Sequence, residues 1–323
     1  MLPLVDGNRP KTQNDSPGRE LFQPGEGETP GAIDLHWSTG AKVGVRCTLV
    51  GETKGVTTLM PEGHVIHRLA RQLNETFAGQ PIEISSPQGR FDVTPLTDAT
   101  LTEARAVGKH LFLEFSTATV HVHLGLIGSF RFEPAEDVWG QIRLRLANED
   151  VAANLRGPQY CRYVSPPEEQ AILDRSGEDP LDPDADPETL WKRVRSSRRT
   201  IGSLMMDQQY FAGVGNIYRA EPLFRLGISP FVPGRALDHE EFLRLWRDVR
   251  ELMEYGVEHG RIDTVRPEHS PEAMGRPPRK DDHGGEVYVY RRAGEPCFVC
   301  GTPIEVRKYE GRNLFWCPSC QAE

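Results

Sequence analysis

The chain has 323 residues, 26% of them charged and 37% hydrophobic, with a formal net charge of −9. That length allows two or three domains with cores of their own. No apolar run is long enough for a membrane span, and Met1 to Asn14 lacks the charged-then-apolar layout of a secretion signal, so a cytoplasmic protein is expected.

Residues 1–59 are rich in Gly, Pro, Ser, Thr and charge, and the first thirty show no apolar period. They read as a disordered or non-native extension, with strand-like scraps only at Val43–Val45 and Cys47–Val50. Order starts at Pro61. Ile66, Leu69, Leu73 and Phe77 share one helical face, and Gly79 follows as a C-cap. Strands come next: Leu111, Leu113 and Phe115 alternate, as do Val120 and Val122, and Ile142, Leu144 and Leu146 alternate with Arg143 and Arg145. Short antiparallel strands with one buried face predict a two-layer β-sandwich.

The negative charge argues against nucleic acid until its distribution is read. Residues 166–190 hold nine acids and one base, Arg175, so most of the excess sits there. Lys192, Arg193, Arg195, Arg198 and Arg199 follow with no acid among them, and a near-neutral remainder can hide a basic face. The acidic, Pro-rich stretch reads as a surface linker. From Leu190 the period turns helical: Ile201, Leu204 and Met205 open one segment, Gly213-Val214-Gly215-Asn216 makes a turn into another, and Phe242 to Met253 mark a longer helix. Residues 260–285 read as a loop. The expected division is therefore an extension 1–59, a sandwich 60–165, a linker 166–189, a helical domain 190–285 and a cysteine-bearing hairpin 286–323.

Five stretches carry chemistry. Cys297-x2-Cys300-x16-Cys317-x2-Cys320 supplies four thiolates for one structural, tetrahedral Zn²⁺; Cys47 and Cys161 stand alone. Gly311-Arg312-Asn313, between the knuckles, is a hairpin turn that offers an arginine to a phosphate. Gly213-Val214-Gly215-Asn216 opens a helix, where amides receive phosphate and Asn216 either caps the helix or holds the ligand. Lys109 enters a strand, either solvated or set beside a phosphate or sugar. His121 and His123 share one strand face without an evident third metal ligand. Met60-Pro61-Glu62-Gly63 reads by itself as a helix start, since proline suits the first turn, unless it is also the start of the polypeptide. With Met60 as the start and its methionine removed, Pro61 would carry a free secondary amine beside a carboxylate. Such an amine is a nucleophile able to form an iminium at a sugar C1′ or another electrophilic carbon.

Together these residues resemble the formamidopyrimidine-DNA glycosylase / endonuclease VIII family. The ordered pieces are Met60-Pro61-Glu62-Gly63, Gly108-Lys109-His110, His123-Leu124-Gly125, Met206-Asp207-Gln208, Gly213 to Tyr218, Tyr290 to Cys297, and Gly311-Arg312 before Cys317-Pro318-Ser319-Cys320. The likeness is greatest to the actinobacterial endonuclease VIII branch. It implies a multidomain α+β fold: an N-terminal helix and antiparallel sandwich, a helix–two-turn–helix module, and a zinc hairpin, with DNA between the domains. It implies Pro61 as Schiff-base nucleophile and Glu62 as the acid that protonates the opening sugar. Lys109 and Asn216 would hold the phosphates flanking the lesion, Lys109 also moving a proton at β-elimination. Arg312 would hold a phosphate and assist δ-elimination. Leu126 occupies the place of the family's void-filling methionine and Arg156 that of its arginine. No phenylalanine follows Arg156, a departure that favours oxidised pyrimidines over 8-oxoguanine. The implied partner is double-stranded DNA with damaged bases or abasic sites, acted on by a monomer at the bacterial nucleoid. A non-catalytic protein that binds damaged DNA is the competing expectation if residues 1–59 stay attached, because an acylated Pro61 nitrogen cannot form a Schiff base.

Overall fold

A computed structural model describes residues 61–280 and 285–322. The expected extension 1–59, with its strand-like scraps and Cys47, lies outside the described residues. Helix α1 (Gly63–Phe77) buries the predicted stripe of Ile66, Leu69, Leu73 and Phe77. It ends at Phe77, and its C-cap is Ala78, in extended conformation with its N–H donating to Asn74 O at 3.2 Å, rather than the expected Gly79, which follows at a positive φ of 67° with its N–H on Leu101 O at 2.9 Å.

Eight strands then build the sandwich: β1 (Glu83–Ser85), β2 (Leu101–Val107), β3 (His110–Phe115), β4 (Thr119–His123), β5 (Ser129–Pro134), β6 (Ile142–Ala147), β7 (Val151–Arg156) and β8 (Tyr160–Val164). They pair into two antiparallel sheets, ordered β1-β6-β7-β5 and β2-β3-β4-β8. Leu111, Leu113, Val120 and Val122 from one sheet meet Leu144, Leu146, Ala153 and Leu155 from the other, and α1 closes the side. One expectation needs correcting. Arg145, which alternates with core leucines, is buried: it donates to Asn154 Oδ1 at 3.0 Å and to the Ala135 carbonyl, and Asn154 donates to Glu133 at 2.6 Å. The outer face of this sheet is a satisfied polar layer rather than a wet one.

The acidic stretch is more structured than its composition suggested. It holds α2 (Pro166–Leu173) behind a Ser165/Glu168 capping box and the start of α3 (Pro187–Val194). Between them Asp179 is buried. It accepts from Gly108 N at 2.6 Å and Leu181 N at 3.0 Å, and pairs with His67 of α1 at 2.8 Å. The helical domain follows with α4 (Ile201–Leu204), α5 (Asn216–Arg225), α6 (His239–His259) and α7 (Pro271–Met274). Its core gathers Ile201, Leu204, Ile217, Leu223, Phe242, Leu245 and Val249. Helix α6 also packs on α1, with Arg68 donating to Val257 O at 2.8 Å. The chain ends in a two-stranded hairpin, β9 (Glu305–Tyr309) and β10 (Arg312–Trp316), joined by Glu310 and Gly311, both at positive φ. Among the described residues no helix is long and apolar enough to cross a membrane.

Candidate active site

Three backbone segments meet before any side chain does. Gly63 N donates to Gly213 O at 2.8 Å. A Cβ on Gly63 would lie 2.8 Å from Gly213 Cα, and one on Gly108 would lie 2.9 Å from Gly213 N. Only glycines let the start of α1, the β2–β3 turn and the loop before α5 approach so closely. Pro61, Glu62, Lys109 and Asn216 are carried by these segments and line one cleft of about 650 Å³, together with Met206, His123 to Ile127, Gly157 to Gln159, and Arg312 from the hairpin.

Glu62 is the fixed point. It is 2% exposed, and its carboxylate accepts from Ile217 N at 2.9 Å, Gly215 N at 3.1 Å and Tyr218 N at 3.3 Å. It therefore sits on the N-terminus of α5, where free amides and the helix dipole favour an anion. A Cβ at Gly215 would stand 2.3 Å from Glu62 Cδ, so residue 215 must be glycine. The sequence suggested these amides for a phosphate; a carboxylate of the chain takes them instead. Nor does Asn216 cap the helix. Its Nδ2 donates to Asn313 O at 3.0 Å, tying α5 to the hairpin, and its Oδ1 accepts from Arg219.

Lys109 is half-buried, with Nζ donating to Val214 O at 2.9 Å. Burial lowers its pKa; Glu62 opposes that shift and Arg312 adds to it. An ammonium held this way gives up its proton more readily than a solvated one. The adjacent Gly108 amide is the one bound by Asp179, so the linker fixes the lysine's backbone. Arg312 is exposed at the start of β10. Its hairpin is pinned by Ser203 Oγ donating to Glu310 at 2.6 Å and by Thr200 Oγ1 against Tyr309 OH at 2.6 Å.

Leu126 and Ile127, 51% and 76% exposed, stand at the cleft lip. Arg156 does not line the cleft. Its guanidinium binds Glu133 at 2.8 and 3.1 Å and stacks 4.0 Å from the Trp139 ring centroid. His123 lines the cleft, and its Nδ1 accepts from Gly125 N at 3.1 Å. His121 is wholly buried and shares a 2.9 Å hydrogen bond with His110. Burial, with like charge nearby, pushes the two down to about 3 and about 4, so they are packed as neutral rings.

Cys297, Cys300, Cys317 and Cys320 bring their sulfurs within 4.8 Å of one another, with closest pairs at 3.5 and 3.9 Å. Tetrahedral bonds of about 2.3 Å require sulfurs ~3.8 Å apart, so the four thiols suit one metal ion. Cys161 is a half-buried thiol whose environment raises it to about 12, so it is inert.

Three supports were missed in the sequence. Arg219, fully buried, donates to Asn216 and to Asn313 O at 3.1 Å; burial lowers it to about 10. Glu221, also fully buried, accepts the amides of Tyr288, Val289 and Tyr290 at 2.7 to 2.9 Å and the Thr264 hydroxyl at 2.6 Å. Asp179 was hidden among eight other acids. The available signal for the first two was their place on α5 among apolar residues, in Ile217-Tyr218-Arg219-Ala220-Glu221.

Residues 60–159 match the family model for the formamidopyrimidine-DNA glycosylase N-terminal domain, and residues 176–266 that for its H2TH domain. The second match begins inside the stretch read as a linker. Endonuclease 8 1 of Mycobacterium tuberculosis is 47% identical over 271 residues, covering 81% of this chain and 100% of the relative. Probable endonuclease 8 2 of Streptomyces coelicolor is 32% identical over 278 residues, covering 81% and 94%. Among solved structures, MutM (Fpg) of Thermus thermophilus superposes with a TM-score of 0.61 at 30% identity, covering 81% of this chain and 99% of that one. Lactococcus lactis Fpg with DNA containing an abasic site gives 0.62 at 21% identity, covering 81% and 100%, a likeness of fold.

Proposed function

The chain belongs to the formamidopyrimidine-DNA glycosylase / endonuclease VIII family and is a DNA glycosylase/AP lyase of base excision repair, and on that premise we propose that it removes oxidised pyrimidines through a Schiff base at Pro61. The observation that carries this reading is the convergence of Pro61, Glu62, Lys109, Asn216 and Arg312 on one cleft from separate parts of the chain. An extruded nucleotide could be reached there. The Pro61 nitrogen, as a free amine, attacks C1′ and displaces the damaged base, which takes up the proton the amine sheds; breaking of the C1′–O4′ bond then turns the aminal into an iminium. Glu62 protonates the opening sugar oxygen. Lys109, with its lowered pKa, assists proton removal at C2′ for β-elimination, and Arg312 holds a phosphate as δ-elimination follows. Asn216 contributes a second phosphate contact by exchanging its Asn313 partner. Leu126 enters the stack where the base has left.

The active polypeptide in this reading begins at Pro61, with residues 1–59 absent or removed. The start of the family match at residue 60 supports it. The metal held by the four cysteines is Zn²⁺, supported by an all-sulfur donor set with no open position; it is structural and keeps the Arg312 hairpin in shape. The protein works as a monomer on double-stranded DNA in the bacterial cytoplasm, at the nucleoid.

Pyrimidine preference rests on the absence of a phenylalanine after Arg156, where Gly157 and Pro158 follow; Arg156 itself is committed to Glu133 and Trp139 rather than to the cleft. Single-turnover excision from duplexes carrying thymine glycol or 8-oxoguanine tests it. Faster release of thymine glycol is expected; faster release of 8-oxoguanine would reverse the assignment.

A further inference from the structure

Beside the cleft, an exposed tryptophan has no place in the chemistry above. Trp139, in the connection between β5 and β6, is 55% exposed, and its neighbour Val138 is 53% exposed. An aromatic side chain of that size left in water points to a binding surface. It is also held in place. The Arg156 guanidinium stacks on its ring at 4.0 Å while Arg156 Nε and Nη2 donate to the Trp139 carbonyl at 3.2 and 3.1 Å. Arg156 is in turn fixed by two hydrogen bonds to Glu133.

This platform continues the cleft. Arg156 pairs across the sheet with Ser129, the residue after Gly128, so it stands next to the loop bearing Leu126 and Ile127. Gly157, which follows Arg156, lines the cleft, and a Cβ there would lie 3.9 Å from Ile127 O. From the Pro61 end the surface runs through Leu126 and Ile127, past Gly157 and Arg156, to Trp139. Extruding a lesion leaves its partner base unpaired, with a bare aromatic face. Arg156 directs four of its five N–H donors at Glu133 and Trp139 O, and the indole stands exposed beside it.

We infer that Trp139 is the stacking platform for the orphaned base opposite the lesion, and that it sets a preference for a purine there. This rests on the reading of the cleft as the lesion site. A purine offers the larger face to an indole, and base–aromatic stacking tolerates either purine. A platform of this kind suits an enzyme of oxidised pyrimidines, whose partners in the duplex are purines.

The test uses the metal-loaded protein and duplexes carrying a tetrahydrofuran abasic analogue opposite A, G, C or T, with a further duplex carrying 2-aminopurine at that position. For the wild type we expect binding about tenfold tighter opposite purines than pyrimidines, and quenching of 2-aminopurine. Trp139→Ala should erase both, and Trp139→Phe should restore part of each. If Trp139→Ala weakens every duplex equally and quenching persists, Trp139 merely supports Arg156 and the inference fails. It fails too if the variant behaves as the wild type. A wild type unable to tell the abasic duplex from an intact one would sink the reading of the cleft itself, a result distinct from either.

Discussion

At the scale of single residues, Glu62 is satisfied in a way that leaves no slack. Three backbone amides converge on one carboxylate. Glu62→Gln replaces one acceptor oxygen with a donor that faces those amides. It should cost about 1–3 kcal/mol of stability and lower base excision by ~10²-fold or more; unfolding curves and single-turnover excision measure the two separately, and normal excision by the folded variant would remove Glu62 from the chemistry. The His110–His121 pair makes a different prediction. Both are held neutral in the fold, at about 4 and about 3, against 6.5 unfolded. Below pH ~6.5 the unfolded chain therefore binds more protons, so stability is full above that pH and falls as pH drops toward 4, by up to ~1.4 kcal/mol per pH unit for each histidine. Urea midpoints between pH 7 and 4.5 should drop less steeply for His121→Gln than for the parent; parallel curves would show that the pair does not govern acid sensitivity. Pro61, Glu62 and Lys109 were legible in the sequence because each belongs to a short ordered motif. Arg219 and Asp179 were not, because nothing local distinguishes a buried charge from a solvated one until its distant partners are known.

At the scale of elements, the site depends on pieces that lock each other. Glu221 gathers the amides of Tyr288 to Tyr290 ahead of the first cysteine knuckle, and Ser203 and Thr200 hold the far tip of the hairpin. The hairpin should therefore fail locally when its metal is lost. Cys317→Ser is expected to release about one equivalent of zinc and abolish lesion-DNA binding while the sandwich keeps its unfolding transition; normal binding by the metal-free variant would contradict this. Arg312→Ala should reduce the slope of log affinity against log salt by roughly one, and an unchanged slope would mean that Arg312 meets no phosphate. The helix stripe of α1, the alternation in β3, β4 and β6, and the cysteine spacing were all readable, since each is a local periodicity. The strand order was not, because antiparallel partners such as β5 and β7 are distant in sequence and nothing local specifies their pairing. The outward reading of Arg145 failed for a related reason: alternation tells which face a residue takes, not whether that face is covered.

At the scale of the whole molecule, the sandwich and the helical domain are joined by the α1–α6 packing, by the meeting of Gly63, Gly108 and Gly213, and by Asp179 reaching His67 and Gly108. The residues lining the cleft thus come from both bodies, and the cleft exists only where they meet. Seven motifs in order made the family legible, while composition misled over the acidic stretch, which averages as surface yet holds one of the contacts between the bodies. The proposed chemistry turns on the state of a single nitrogen. An internal Pro61 is an amide with no lone pair for attack; a chain beginning at Pro61 has the amine. Residues 1–323 and the form started at Met60 and stripped of its methionine should be made separately, each N-terminus confirmed by mass, and both treated with borohydride and abasic-site DNA. A covalent adduct at Pro61 is expected only in the shorter form; equal trapping by an intact chain of residues 1–323 would contradict both the start at Pro61 and its role as nucleophile.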